Sequence, residues 1–166
     1  MSIRRFYDRW PQYNRRFVAA IAELTDSQLA IRHPPVDSPI WATVGHTAAM
    51  RAYWLIGVCK EPRPAGLPFA DPENDDWGDD LDHPRTAAEL VTAMTTSFAI
   101  VDGLLDRWTP AMLEETLERR HGDEVQRHTR ASILQRMITH EAWHAAQVSD
   151  ALALHGLPDI DLWRSD

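Results

Sequence analysis

Four stretches of this chain place apolar residues three or four positions apart, and prolines cut the sequence between them. Trp10, Tyr13, Phe17, Ile21 and Leu24 predict a helix over 11–24, with Pro11 in the first turn, where its missing N–H costs least. Val44, Met50, Trp54, Leu55 and Val58 predict a second over 42–59. Pro62 and Pro64 end it, because the residue before a proline is pushed out of the helical region. Thr86 with Glu89 forms the sequence signature of a capping box and opens a third helix through Leu90, Met94, Phe98, Val101, Leu105 and Trp108, closed by Pro110. The fourth runs over 132–155 and stops at Gly156 and Pro158.

The connections are read by composition. Residues 26–40 are rich in Pro, Asp and Ser and read as a loop. Residues 62–84 form a long irregular connection whose acidic run, DPENDDWGDDLD, lacks the ligand spacing and central glycine of a helix-loop-helix calcium site. It reads as a solvated crossover, long enough to cross the end of a bundle. In TLERRHGDEVQRHTR a turn at Gly122-Asp123 suggests a short hairpin, whose polarity makes it a surface appendage. Residues 1–166 therefore read as one all-α domain. The expected architecture is a four-helix bundle with a long crossover between helices 2 and 3, a short hairpin before helix 4, and Leu162 and Trp163 laid back on the bundle.

A chain of 166 residues can bury a core without a disulfide, and its one cysteine, Cys59, reads as an apolar filler in a reducing compartment. The net charge of -8 argues against a nucleic-acid surface, which depends on Lys and Arg neutralising phosphates. The N-terminus lacks the apolar run of a signal peptide, and no segment is expected to reach the ~20 apolar residues of a membrane span, so the reading is cytoplasmic with no membrane partner.

The histidines carry the chemistry. His140 and His144, in ITHEAWHAAQ, are four apart, so their side chains leave adjacent turns of one helix on one face and two imidazoles can share an ion. Alternatively, both are ordinary hydrogen-bonded histidines at the bundle edge. His46 lies in the second helix beside Gly45, which permits close helix approach. Glu141 lies between the pair as an acid or base for a metal-bound water, with a structural salt link as the equal alternative. Trp41, Tyr53, Trp143 and Gln147 are pocket candidates, the aromatics competing with simple core burial. His121 and His128 fall in the hairpin at expected surface positions, and His33, His83 and His155 have no supporting constellation.

With its early second-helix histidine, long crossover, polar hairpin, final-helix histidine pair and closing HGLPDIDLW, the chain resembles the DinB-like (DinB and YfiT) superfamily of metal-dependent bundle proteins. The resemblance implies that His46, His140 and His144 are metal ligands, while Ala145 and Ala146 depart from a more basic, glycine-containing stretch in many members. Three imidazoles leave a coordination position open and suit zinc or nickel. The resemblance further implies a thiol S-transferase working with a low-molecular-weight thiol, or a hydrolase of a small-molecule substrate, and a homodimer. A noncatalytic metal-binding or stress-associated interaction protein is the alternative.

Overall fold

Helix α1, Trp10–Ala22, turns Trp10, Asn14, Phe17 and Ile21 inward, a stripe of one helical period. It ends two residues before the expected Leu24, whose N–H closes a turn on the Ile21 carbonyl. The computed structural model describes residues 1–34 and 36–163, and the side chains of His33 and Val36 also lie outside the described set.

The segment expected to be a loop is ordered secondary structure. Thr25 accepts from the Gln28 N–H while the Gln28 side chain accepts from the Thr25 N–H, and this capping box starts a one-turn helix, α2 (Asp26–Leu29). Strands β1 (Arg32–His33) and β2 (Val36–Pro39) then pair antiparallel. Leu29 anchors the turn by complete burial.

Helix α3, Ile40–Ala52, begins two residues before expectation and passes into a π-helical stretch, Tyr53–Val58. The Cys59 N–H reaches back five residues to the Trp54 carbonyl at 2.9 Å. Lys60, with φ of 59°, takes the chain out of the helix. Helix α4, Ala87–Arg107, starts at the expected Thr86–Glu89 capping box. By length and composition it is apolar enough to cross a membrane, contrary to the sequence expectation. Here its apolar stripe, including Leu90, Met94, Val101 and Leu105, is buried, and its flanks carry Asp102 and Asp106.

Strands β3 (Thr116–His121) and β4 (Glu124–Thr129) make the expected hairpin around Gly122, whose φ of 57° suits a residue without Cβ. It is more than a surface appendage, because Arg119 bonds the Tyr53 hydroxyl and His128 stands edge-on to Trp54 at 5.1 Å. Helix α5, Arg130–Leu154, is capped by the Thr129 side chain and followed by Gly156 at φ 71°.

The chain is therefore mostly helical, with two small antiparallel ribbons that qualify the all-α expectation. Helix α4 packs on α1 and α3, and α5 packs on α3. One apolar cluster gathers Phe17, Ile21, Trp41, Leu90 and Val148; the other gathers Trp10, Trp54, Phe98, Trp108 and Ile133. In the tail Leu162 packs partly on the first cluster, while Trp163 is largely exposed and meets Tyr13 edge-on.

Candidate metal centre

Packing of α3 on α5 brings His46 against the His140–His144 pair. The Nε2 atoms of His46 and His144 each lie 3.1 Å from the Nε2 of His140. The same His46 ring places Nδ1 2.7 Å from Asp76 Oδ2, and the His144 ring places Nδ1 2.7 Å from Gln147 Oε1. Both partners are oxygen acceptors, so each Nδ1 carries the proton and each Nε2 presents a lone pair. A neutral His140 has one ring proton and can satisfy at most one of the two facing lone pairs. A cation at the centre satisfies all three. Two imidazole nitrogens about 2.05 Å from a tetrahedral ion stand about 3.3 Å apart, close to the separation seen here.

Electrostatics keep the His140 and His144 rings neutral and ready to ligate. Burial, with the neighbouring His144 and His46, pushes the His140 imidazolium down to about 3, and burial lowers His144 as well. Burial pushes the Asp76 carboxyl up, but the His46 hydrogen bond and the nearby imidazoles outweigh it and hold Asp76 below the usual carboxylate range. It is thus an anionic acceptor throughout the neutral range, the arrangement that fixes tautomer and ring angle in histidine metal sites.

Asp76 comes from the crossover that the sequence reading assigned to solvent. Two glycines let that loop reach the helix. A Cβ on Gly45 would stand 2.8 Å from the Trp77 Cβ, and one on Gly78 would stand 2.7 Å from the His46 Cβ. Gly45 thus admits a loop rather than a neighbouring helix. The Gly78 N–H donates to Asp76 Oδ1 at 2.8 Å, which aims the other carboxylate oxygen at His46.

Glu141 points away from this centre into a buried ion pair. Its Oε1 accepts from Arg51 Nε at 2.7 Å, and its Oε2 accepts from Arg51 Nη2 at 2.9 Å and from the Trp10 indole N–H at 2.8 Å. Arg51 is 1% exposed and also donates to the Met94 carbonyl. With both oxygens engaged, the salt-link alternative is the one this geometry supports. Trp41 is buried in the core, whereas Trp143 is 65% exposed and stacks on His144 with ring planes 6° apart. Tyr53 borders a groove with Asp76, and Gln147 orients His144. His83 and His155 bond locally to Asp80 and to the Ala151 carbonyl, and His121 lies on the exposed hairpin. His128, expected at the surface, is half-buried with its Nε2 enclosed.

One groove reaches the centre at His140 and another reaches Asp76 behind His46. One of about 490 Å³ runs along α5 past His140 and Trp143 to His128. Another of about 370 Å³ lies between the π-helical stretch, the crossover and the hairpin, with Met50, Tyr53 and Asp76 among its walls. The second of these is bordered by Asp76 but by none of the three histidines, and neither is a third, of about 440 Å³, between α1, α5 and the tail.

A mostly helical protein with three converging imidazoles, two of them held by oxygen acceptors and the third reached by an open groove, defines a class of chain with a site compatible with a divalent metal. The family profile of the DinB superfamily matches residues 12–148, and the chain belongs to that superfamily. No curated protein matches the chain significantly.

Proposed function

We propose that this chain is a divalent-metal-dependent enzyme on a four-helix-bundle frame, with His46, His140 and His144 as ligands to zinc or nickel. Thiol S-transfer from a low-molecular-weight thiol to a small electrophile is the favoured reaction, and hydrolysis of a small molecule is the second. The observation that carries this reading is the convergence of three imidazole Nε2 atoms beside an open groove that reaches His140. A purely structural ion would call for a closed coordination sphere with no adjacent cavity.

When bound, a divalent ion there would supply Lewis acidity toward a water or thiol. The chain's own residues do the rest. Asp76 and Gln147 hold the His46 and His144 rings with Nε2 inward, Trp143 walls the outer side of His144, and Tyr53 borders the approach from the crossover. Glu141 serves as an anchor of the frame rather than as an acid or base. We further take the protein to be cytoplasmic and homodimeric, acting without nucleic-acid or membrane partners.

The test is thiol consumption with a panel of low-molecular-weight thiols and a haloaromatic electrophile. The reading expects turnover that requires added zinc or nickel and disappears in His140→Ala. No metal-dependent rate with any pair would rule out S-transfer and leave hydrolysis or a noncatalytic metal site.

A further inference from the structure

Beside the histidine centre, two guanidiniums crowd one indole. Arg119 lies 5.1 Å and Arg136 4.9 Å from the Trp54 ring centroid. Among the described residues neither is ion-paired to a carboxylate, whereas Arg4, Arg51, Arg85, Arg107, Arg127 and Arg130 all are. Arg119 is held by the Tyr53 hydroxyl, Gln126 Oε1 and His121 Nδ1. Arg136 makes no side-chain hydrogen bond among the described residues, and it borders both the groove that reaches His140 and the one that reaches Asp76.

Position ties this pair to the reaction site. Arg136 and His140 are one helical turn apart on one face of α5, about 6 Å along the axis. The groove bordered by Arg119 and Arg136 is also bordered by Asp76, the partner of His46. Four carboxylates line the same groove, but Glu73 pairs with Lys60, Asp75 accepts from the Asp71 N–H and Asp76 pairs with His46, and among the described residues none forms an ion pair with the two arginines. His128, beside the same indole, is held below the usual imidazole range chiefly by burial and further by Arg136 and Arg119. Stacked on the indole with no side-chain hydrogen bond among the described residues, Arg136 keeps an N–H edge that matches a carboxylate in two parallel hydrogen bonds, while Arg119, held in place by its own bonds, adds a second positive charge beside it.

We propose that Arg119 and Arg136, held against Trp54, form a carboxylate-binding subsite beside the histidine centre, so that the molecule presenting the reacting group is an organic anion. The subsite rests on the metal-centre reading above and adds the substrate class to it. Its role is positioning: the carboxylate fixes one end of the molecule while the other end reaches the imidazoles.

The test uses the full chain loaded with cobalt(II), whose thiolate absorption reports ligand binding directly. Mercaptocarboxylates of increasing chain length are titrated against mercaptoalcohols of the same length. At the best-fitting length the acid is expected to bind at least about tenfold more tightly than the alcohol, an advantage that shrinks as salt is raised. Arg119→Gln/Arg136→Gln should abolish the preference while leaving cobalt affinity and alcohol binding unchanged, and Arg136→Lys should retain part of it. Equal binding of acid and alcohol at every length overturns the subsite. So does a preference that survives in the double variant, which would mean direct chelation of the ion by the carboxylate. Failure of the parent to take up cobalt is a separate outcome: it overturns the metal reading and the subsite with it.

Discussion

Glu141→Gln should be among the most destabilising single substitutions in this chain while leaving metal affinity nearly unchanged. The side chain of Arg51 is 1% exposed and that of Glu141 12%, and three hydrogen bonds of 2.7–2.9 Å converge on the carboxylate from Arg51 and Trp10. A glutamine keeps one acceptor, turns an NH₂ toward donors and leaves the Arg51 guanidinium buried without its counter-charge. Breaking one side of a buried pair typically costs about 3–5 kcal/mol, a large share of the roughly 5–15 kcal/mol by which a domain is stable. For a chain of this size each kcal/mol moves the midpoint by about 2–4 °C, so a fall on the order of 10 °C is expected. Urea unfolding in the presence of chelator removes any contribution from bound metal. Replacing both partners, Arg51→Met with Glu141→Met, should recover most of the loss, since an apolar pair has no charge to strand. A loss under about 1 kcal/mol in Glu141→Gln with an unchanged denaturant slope would refute the claim that this pair anchors the frame.

The other predictions are independent of that pair. Asp76→Asn removes the anionic acceptor for His46 and should weaken metal binding by about 10–100-fold, measured by competition with a chromogenic chelator; an unchanged affinity would remove the crossover from the site. Gly78→Ala should weaken binding in the same assay, because the new Cβ meets the His46 Cβ at 2.7 Å and displaces the loop. Burial pushes the Cys59 thiol up to about 12, so it remains protonated across pH 7–9 and should react with a thiol reagent only when urea opens the fold; fast labelling of native protein would contradict its 4% exposure. Thr86→Ala, which deletes the α4 cap, should cost about 1 kcal/mol by urea unfolding without altering metal binding.

The long helices were legible because their apolar spacing and end signals agree, as at Thr86, Glu89 and Pro110. The Thr25-Gln28 capping box carried the same kind of signal but was hidden by its Pro- and Ser-rich surroundings, and no local sequence signal marks the π-helical stretch at Tyr53–Val58. The three histidines were legible from i,i+4 spacing together with the family resemblance. Asp76 was not, since one carboxylate in an acidic run resembles the next. The usable signal was Trp77-Gly78, a bulky residue and a missing side chain where the loop meets the helix. The hairpin misled by its average polarity: Arg119 and His128 reach back over Tyr53 and Trp54, and composition does not record that direction.

The central claim is that three imidazoles share one ion. Its most direct test is elemental mass spectrometry of untagged protein purified without added metal or chelator, beside a folded His46→Ala/His140→Ala/His144→Ala variant. The account predicts close to one zinc or nickel per chain in the parent and none in the variant. No metal in the parent after reconstitution, or equal metal in both proteins, would contradict it.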